Sequence, residues 1–330
     1  VESMNNEGIG IEKISYYLPK DVITSKELSD NYGYDQDFIE KKVGVTKLFI
    51  ANDLSTTDMA VNALESLLEN KEYLRNKIEL LVVCTQTPEF QLPQVSSQLQ
   101  SRCGLSNSIM SFDLSLGCSG YVYGISVIES LLVSLKLDYG VLITTEKYSS
   151  IIDDSDRNTK CLFSDASSAT LFSRDGKLIP GEYKFGTDGE LYDSLIVRKK
   201  YDDRGCKNNI LSMNGRNIFN FTVGKIPDEI SDVCKLNGLD EREIDYFITH
   251  QASSYVISSI ALRSKYSQTG KFINYMSLFG NTVSSSIPIA LHQLTNDGGI
   301  GGKIVISGFG VGLSWGTVVL FNKGDFTNGR

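Results

Sequence analysis

Ile78-Glu79-Leu80-Leu81-Val82-Val83-Cys84-Thr85-Gln86 is a short apolar run, and 166 residues later its pattern recurs as Ile244-Asp245-Tyr246-Phe247-Ile248-Thr249-His250-Gln251. Each run is followed by a helical stretch. The echo continues along the chain. Ile109 to Ser115 answers Phe272 to Leu278, and each reads as a strand entering a small-residue turn and then a helix, Tyr121 to Leu137 in one case and Ile287 to Thr295 in the other. Tyr139 to Thr145 answers Lys303 to Gly308, and Ser168 to Phe172 answers Thr317 to Phe321. Strands this uniformly apolar, alternating with helices, imply mostly parallel sheets covered on both faces. The chain therefore reads as two similar α/β halves, 1–174 and 175–330, each large enough to bury a core. Between them Lys184 to Asn217 is rich in Gly, Asp, Lys and Asn and weakly periodic, and it reads as a long loop or lid.

Composition narrows the function. A net charge of −8 argues against nucleic acid as the main partner, because phosphate backbones are gripped by clustered Lys and Arg. The six cysteines, at 84, 103, 118, 161, 206 and 234, form no CxxC pair, as expected of reduced thiols in a cytoplasmic protein. Neither Cys nor His falls at ligand spacing, so no metal site is expected. The polar N-terminus gives no signal peptide, and no apolar run approaches a membrane span.

Cys118 stands where the apolar strand of Phe112-Asp113-Leu114-Ser115-Leu116 passes through Gly117-Cys118-Ser119-Gly120 into a helix. Unpaired backbone N–H groups and the positive end of the helix dipole would favour a thiolate there and could hold an oxyanion. Alone, a cysteine in apolar surroundings is ordinarily inert core. Its place at the C-terminal edge of a strand, with His250 and Asn281 at corresponding edges, puts three reactive side chains where open α/β sheets bind ligands.

These segments carry a resemblance. Cys118 in its turn, His250-Gln251-Ala252, Gly280-Asn281-Thr282-Val283-Ser284-Ser285-Ser286-Ile287-Pro288 and Phe309-Gly310-Val311-Gly312-Leu313-Ser314-Trp315-Gly316 resemble, in order, the motifs of the β-ketoacyl-ACP synthase III branch of the thiolase-like condensing enzymes. The likeness runs from about Ile9 to Phe321. It implies a thiolase-like α/β fold, two similar mixed-sheet halves in a layered αβαβα arrangement, and a homodimer. It also implies a decarboxylative Claisen condensation of an acyl thioester with malonyl-ACP. Cys118 would be the nucleophile. His250 and Asn281 would stabilise the enolate, and the N–H groups of Cys118 and Val311 would form the oxyanion hole. Acyl carrier protein and acyl-CoA would be partners, with coenzyme A or phosphopantetheine thioesters as substrates and no permanently bound cofactor. His292 lies in a helical stretch and reads as surface or structural.

The resemblance also points to departures at the substrate grip. Phe38 replaces a Trp that would stack coenzyme A adenine against Arg157, and Lys42 replaces an Arg, keeping charge but losing the bidentate fork. After His250 the family carries Asn-Leu-Arg, whereas this chain has Ser253-Ser254-Tyr255. Arg216 stands where Asn is usual and could restore a positive charge. Val311 replaces a Gly beside Phe309 and Gly310, and Leu92 stands where an aromatic residue often enters the dimer partner's acyl pocket. A specialised acyl pathway is thus one expectation. Acyl transfer from Cys118 to an alcohol or amine, with His250 as base, is the alternative. A non-catalytic partner subunit is a third reading, and it predicts a lost nucleophile.

Overall fold

The computed structural model of the chain describes residues 8–201, 207–267, 270–298 and 302–323. Its strands are β1 (Gly10–Tyr17), β2 (Asp21–Thr24), β3 (Lys47–Ile50), β4 (Leu80–Cys84), β5 (Met110–Leu114), β6 (Gly140–Glu146), β7 (Ala166–Ser173), β8 (Leu178–Thr187), β9 (Leu195–Tyr201), β10 (Lys207–Met213), β11 (Ile244–Thr249), β12 (Lys303–Gly310) and β13 (Ser314–Asn322). The helices are α1 (Ser25–Tyr32), α2 (Gln36–Phe38), α3 (Thr56–Leu68), α4 (Val95–Arg102), α5 (Gly120–Leu135), α6 (Gly215–Leu236), α7 (Ser254–Arg263), α8 (Met276–Phe279) and α9 (Ser286–Asn296). A π-helical turn, Ile39–Val43, continues α2.

The main sheet runs β11-β12-β13-β8-β1-β7-β6-β4-β5. On one flank β4 is parallel to β6 and β6 antiparallel to β7; on the other β11 is parallel to β12 and β12 antiparallel to β13. The flanks meet at β1 and β8 through one register pair, Ile11 with Leu178.

Side-chain alternation converts this order into layers. Leu80 and Val82 of β4 face a core shared with Tyr121, Val122 and Ile125 of α5, while Leu81 and Val83 face α3 and α4. On the other flank Ile304 and Ile306 of β12 face the same shared core beside Ile287 and Leu291 of α9, while Val305 faces α6 and α7. Helices α5 and α9 thus fill the space between two sheet surfaces, with a further helical layer outside each. The order is αβαβα, and among the described residues no helix is long and apolar enough to cross a membrane.

Three expectations change. The strands do not form a mostly parallel sheet: five of the eight pairings in the main sheet are antiparallel. Phe272 to Leu278 is not a strand: Phe272 makes one bridge to Phe247, and the chain then enters α8. The cause is local, since Asn274 Oδ1 accepts from Met276 N–H and Gln251 Oε1 accepts from Tyr275 N–H, turning the backbone into a helical turn. Lys184 to Asn217 is not an unstructured lid. Lys184 lies inside β8, β9 pairs with β10 from Leu195 with Met213 to Tyr201 with Lys207, and α6 begins at Gly215. Polar and charged residues on the exposed face of this ribbon conceal Leu195 and Leu211, which are buried.

Candidate active site

Cys118 lies two residues before α5, in a turn whose glycines make room for close neighbours. A Cβ at Gly120 would come within 2.2 Å of Cys84 Sγ, which itself donates to Leu116 O at 3.0 Å. A Cβ at Gly310 would lie 2.9 Å from Cys118 Cβ and 3.1 Å from its Sγ, so the glycine segment ending β12 rests directly on the nucleophile candidate. Gly308 likewise abuts the Cys118 carbonyl.

Cys118 is 5% exposed, and burial, followed by the nearby Glu146 carboxyl, pushes its thiol pKa well up. Desolvation thus opposes the thiolate that a helix terminus would favour.

His250 follows β11, its N–H donating to Ser307 O at 2.8 Å. Burial lowers its pKa to about 3, so the imidazole is neutral at physiological pH. Its Nδ1 lies 2.7 Å from Ser286 Oγ, and the Gln251 N–H also reaches that oxygen at 3.4 Å. A Ser286 hydroxyl that accepts from the Gln251 N–H retains its proton for donation to His250 Nδ1, an arrangement that would leave the imidazole proton on Nε2.

Asn281 is fixed on both backbone sides, its N–H donating to Leu162 O at 3.1 Å and its carbonyl accepting from Ser164 N–H at 2.8 Å. Its Oδ1 accepts from Val283 N–H at 3.0 Å, so the amide turns its NH2 toward the cavity side, where Nδ2 reaches Ala252 O at 3.4 Å. Val283 has φ +52°, a left-handed conformation that is an outlier for a β-branched residue.

All three side chains line one apolar cavity of about 470 Å³ together with Phe309 and Gly310. Leu162, Phe163, Leu195, Met213 and Ile218 form its walls, and Phe38, Lys42, Phe219 and Tyr255 lie at the exposed end. Phe309 meets His250 edge-on at 5.5 Å. Val311 packs on the cluster around Cys118. The Arg157 guanidinium sits 5.3 Å from the Tyr34 ring centroid and bonds the Gly33 carbonyl, outside the cavity, and Leu92 is 80% exposed on the loop before α4. Arg216 is exposed at the first turn of α6, beside the cavity-lining Gly215. Cys84, Cys103, Cys161 and Cys234 are buried and in no disulfide, and Cys206 lies outside the described residues. His292 is half-buried, edge-on to Tyr16 at 5.0 Å.

Two residues escaped the sequence reading. Ser286 was visible only as one serine in a run. Glu146 ends the otherwise uncharged β6 and is fully buried, accepting from the Gln86 N–H at 3.2 Å, Thr87 Oγ1 at 2.9 Å and Ser284 Oγ at 3.3 Å. Its charge at the end of a buried strand was the available signal. Burial raises its pKa to about 8. Among the described residues no cluster of His, Cys, Asp and Glu could hold a metal ion.

The chain matches the family described as 3-oxoacyl-[acyl-carrier-protein (ACP)] synthase III over residues 112–189 and its C-terminal part over 234–321. The β-ketoacyl-[acyl-carrier-protein] synthase III of Lactococcus lactis subsp. cremoris (strain SK11) is 32% identical over 321 residues, covering 94% of this chain and 98% of that one. A crystal structure of a 3-oxoacyl-(acyl-carrier-protein) synthase III superposes with a TM-score of 0.88 at 30% identity, covering 96% of this chain and 99% of the other. The corresponding structure from Pseudomonas aeruginosa PAO1 gives 0.87 at 27%, covering 95% and 98%. The priming β-ketosynthase of the R1128 polyketide pathway, 24% identical, shares the fold at 0.87, covering 98% of each chain. The fold is thiolase-like.

Proposed function

The chain belongs to the 3-oxoacyl-[acyl-carrier-protein] synthase III family and is a condensing enzyme of that type; on that premise we propose that Cys118, His250 and Asn281 are its catalytic residues. Cys118 Sγ attacks the carbonyl of an acyl thioester, its proton goes to the departing thiol, and an acyl-enzyme remains. The oxyanion of this step faces the N–H groups of Cys118 and Val311. A malonyl thioester then enters, its carboxylate leaves as CO2, and the enolate oxygen is held by His250 Nε2–H and the Asn281 amide. The enolate carbon bonds to the acyl carbonyl carbon, the Cys118–acyl bond breaks to release a 3-oxoacyl thioester, and the departing Cys118 thiolate takes a proton from solvent.

The observation that carries this reading is the convergence of three residues from distant segments, all nearly inaccessible, on one apolar cavity. The Ser286 contact favours condensation over transfer to an alcohol or amine. A neutral imidazole with its proton on Nε2 is a donor, as an enolate requires, and lacks the lone pair that a base acting at that nitrogen needs. Acyl-CoA or acyl-ACP serves as first substrate and malonyl-ACP as second. The chain divides near residue 175 into two halves, acts as a homodimer in the cytoplasm, and belongs to the acyltransferase class.

Intact mass after incubation with a panel of acyl thioesters tests the proposal. Wild type gains the acyl mass, Cys118→Ala does not, and malonyl-ACP clears the adduct with formation of a 3-oxoacyl product. An adduct that persists until an alcohol or amine is added would sink the condensing role of this site, and labelling of Cys118→Ala would sink the nucleophile.

A further inference from the structure

We infer that Glu146 is a positioning residue for the condensing step, acting through Ser284 on the turn that presents the Asn281 amide. The inference rests on the role given to Asn281 above, and neither Glu146 nor Ser284 lines the cavity.

The Asn281 turn needs holding. Val283 N–H fixes Asn281 Oδ1 at 3.0 Å and so decides which way the amide points its NH2, but it does so from φ +52°. A β-branched residue keeps that conformation only where its surroundings impose it. The next three residues are serines, and each side chain reaches a different partner. Ser284 Oγ donates to Glu146 Oε1 at 3.3 Å. Ser285 Oγ donates to Thr144 O at 3.1 Å and lies 2.8 Å from Thr144 Oγ1. Ser286 Oγ lies 2.7 Å from His250 Nδ1. Ser284 and Ser285, both fully buried, thus staple the strained turn to the end of β6.

Of the two staples, the one at Glu146 reaches further. Its carboxyl also accepts from Gln86 N–H at 3.2 Å and Thr87 Oγ1 at 2.9 Å, both in the segment leaving β4. Gln86 in turn stands beside the turn of the proposed nucleophile. Its Oε1 lies 2.5 Å from where a Cβ on Gly117 would be, and it accepts from the Tyr148 hydroxyl at 3.0 Å. Tyr148 packs in one cluster with Cys118 and Val283. A single buried carboxyl therefore ties the segment beside Cys118 to the turn beside Asn281, and sets the spacing between the group that carries the acyl chain and the group that holds the enolate. An acidic side chain at this depth is costly, and its three donors offset that cost. An apolar residue would fill the same space without linking the two segments. Acylation draws on Cys118 and the N–H groups of Cys118 and Val311, not on Asn281. A slack turn should therefore harm enolate stabilisation and spare acylation.

The test times the two half-reactions separately. The acyl-enzyme is formed with whichever of acetyl-, butyryl- and octanoyl-coenzyme A labels wild type fastest, and its appearance is followed by intact mass. Malonyl-ACP in excess is then added and loss of the adduct is timed in a single turnover. Ser284→Ala, which removes one oxygen, should slow adduct clearance at least about fivefold while acylation stays within about twofold. Clearance at the wild-type rate, or an equal loss in both steps, overturns the inference. Glu146→Ala should show at least the same defect, and Ser284→Ala added to it should slow clearance by less than about a further twofold; independent losses overturn the link between the two residues. Glu146→Gln keeps an acceptor oxygen and a donor at the same reach, and should bring clearance back to within about twofold of wild type. A Gln variant as slow as the Ala variant would assign the effect to charge and overturn the positioning role. Should Glu146→Ala fail to fold, Ser284→Ala in an Asn281→Ala background gives the second reading. With the amide already gone, it should change the residual clearance by less than about twofold, and a further fivefold loss overturns the route through Asn281. If Asn281→Ala alone clears the adduct normally, the role of that amide falls and takes the inference with it. If Asn281→Ala loses clearance and Ser284→Ala does not, the positioning inference alone falls. If no thioester labels folded wild type, the nucleophile assignment falls first.

Discussion

Ser286 lets a single hydroxyl decide what His250 can do. Removing it in Ser286→Ala leaves Nδ1 without its donor and frees the imidazole to carry its proton on either nitrogen. We expect kcat of condensation to fall about tenfold, the worth of one buried hydrogen bond of about 1–2 kcal/mol, with KM for the acyl donor nearly unchanged and with recovery in Ser286→Thr. Stopped-flow acylation and steady-state condensation, compared in the same preparations, check that split; an equal loss in both half-reactions would argue for structural damage instead. Glu146 gives the second prediction. Its folded pKa of about 8 exceeds the 4.5 of an unperturbed glutamic acid, so the unfolded chain sheds this proton first and native stability is lost as pH rises through that window. His250 works in the opposite sense, with stability lost as pH falls from 6.5 to about 3. Glu146→Gln should therefore narrow the difference in urea midpoint between pH 5 and pH 8, by an amount on the order of a few kcal/mol in unfolding free energy. An unchanged difference would mean that the carboxyl is already ionised in the fold. Cys118, His250 and Asn281 were legible as candidates because each sits in a distinctive local string. Ser286 and Glu146 were not, because their importance lies in distances across the fold, 36 residues away for one and about 60 for the other.

Among the elements, the end of β12 is tightly constrained. Gly310 is a glycine because a methyl group there would meet Cys118, and Gly310→Ala should leave secondary structure intact while cutting Cys118 acylation by about tenfold or more. Circular dichroism with the mass assay distinguishes this from misfolding, and normal acylation would show that the segment can yield. Uniform apolar runs made β4, β6, β11 and β12 readable without coordinates, since strands buried on both faces need apolar side chains at every position. The β9–β10 ribbon was unreadable for the converse reason. Its buried positions, Leu195 and Leu211, stand among Lys, Arg and Asn that face water, and a half-exposed hairpin with polar outer residues looks like a loop. Phe272 to Leu278 misled in the other direction: its apolar content suited a strand, but the side chains of Asn274 and Gln251 captured backbone N–H groups and curled it into α8.

For the whole molecule, the shared layer of α5 and α9 is what joins the flanks, because β1 and β8 pair at only one position. Leu291, 1% exposed in that layer, should therefore be more costly to truncate than a residue of an outer layer would suggest: Leu291→Ala is expected to cost about 2–5 kcal/mol, read as a lowered melting temperature. A loss below about 1 kcal/mol would mean that the layer repacks around the gap. The layer order itself followed from repeating strand patterns, whereas the narrow seam could not be foreseen, because pairing between β1 and β8 leaves no periodic trace. The contact of Gly310 with Cys118 also has a meaning in time. During synthesis the thiol emerges roughly 190 residues before the segment that roofs it, an interval of roughly 10–40 seconds at ordinary translation rates. For that interval the nascent chain holds the proposed nucleophile without the glycine segment that covers it in the fold.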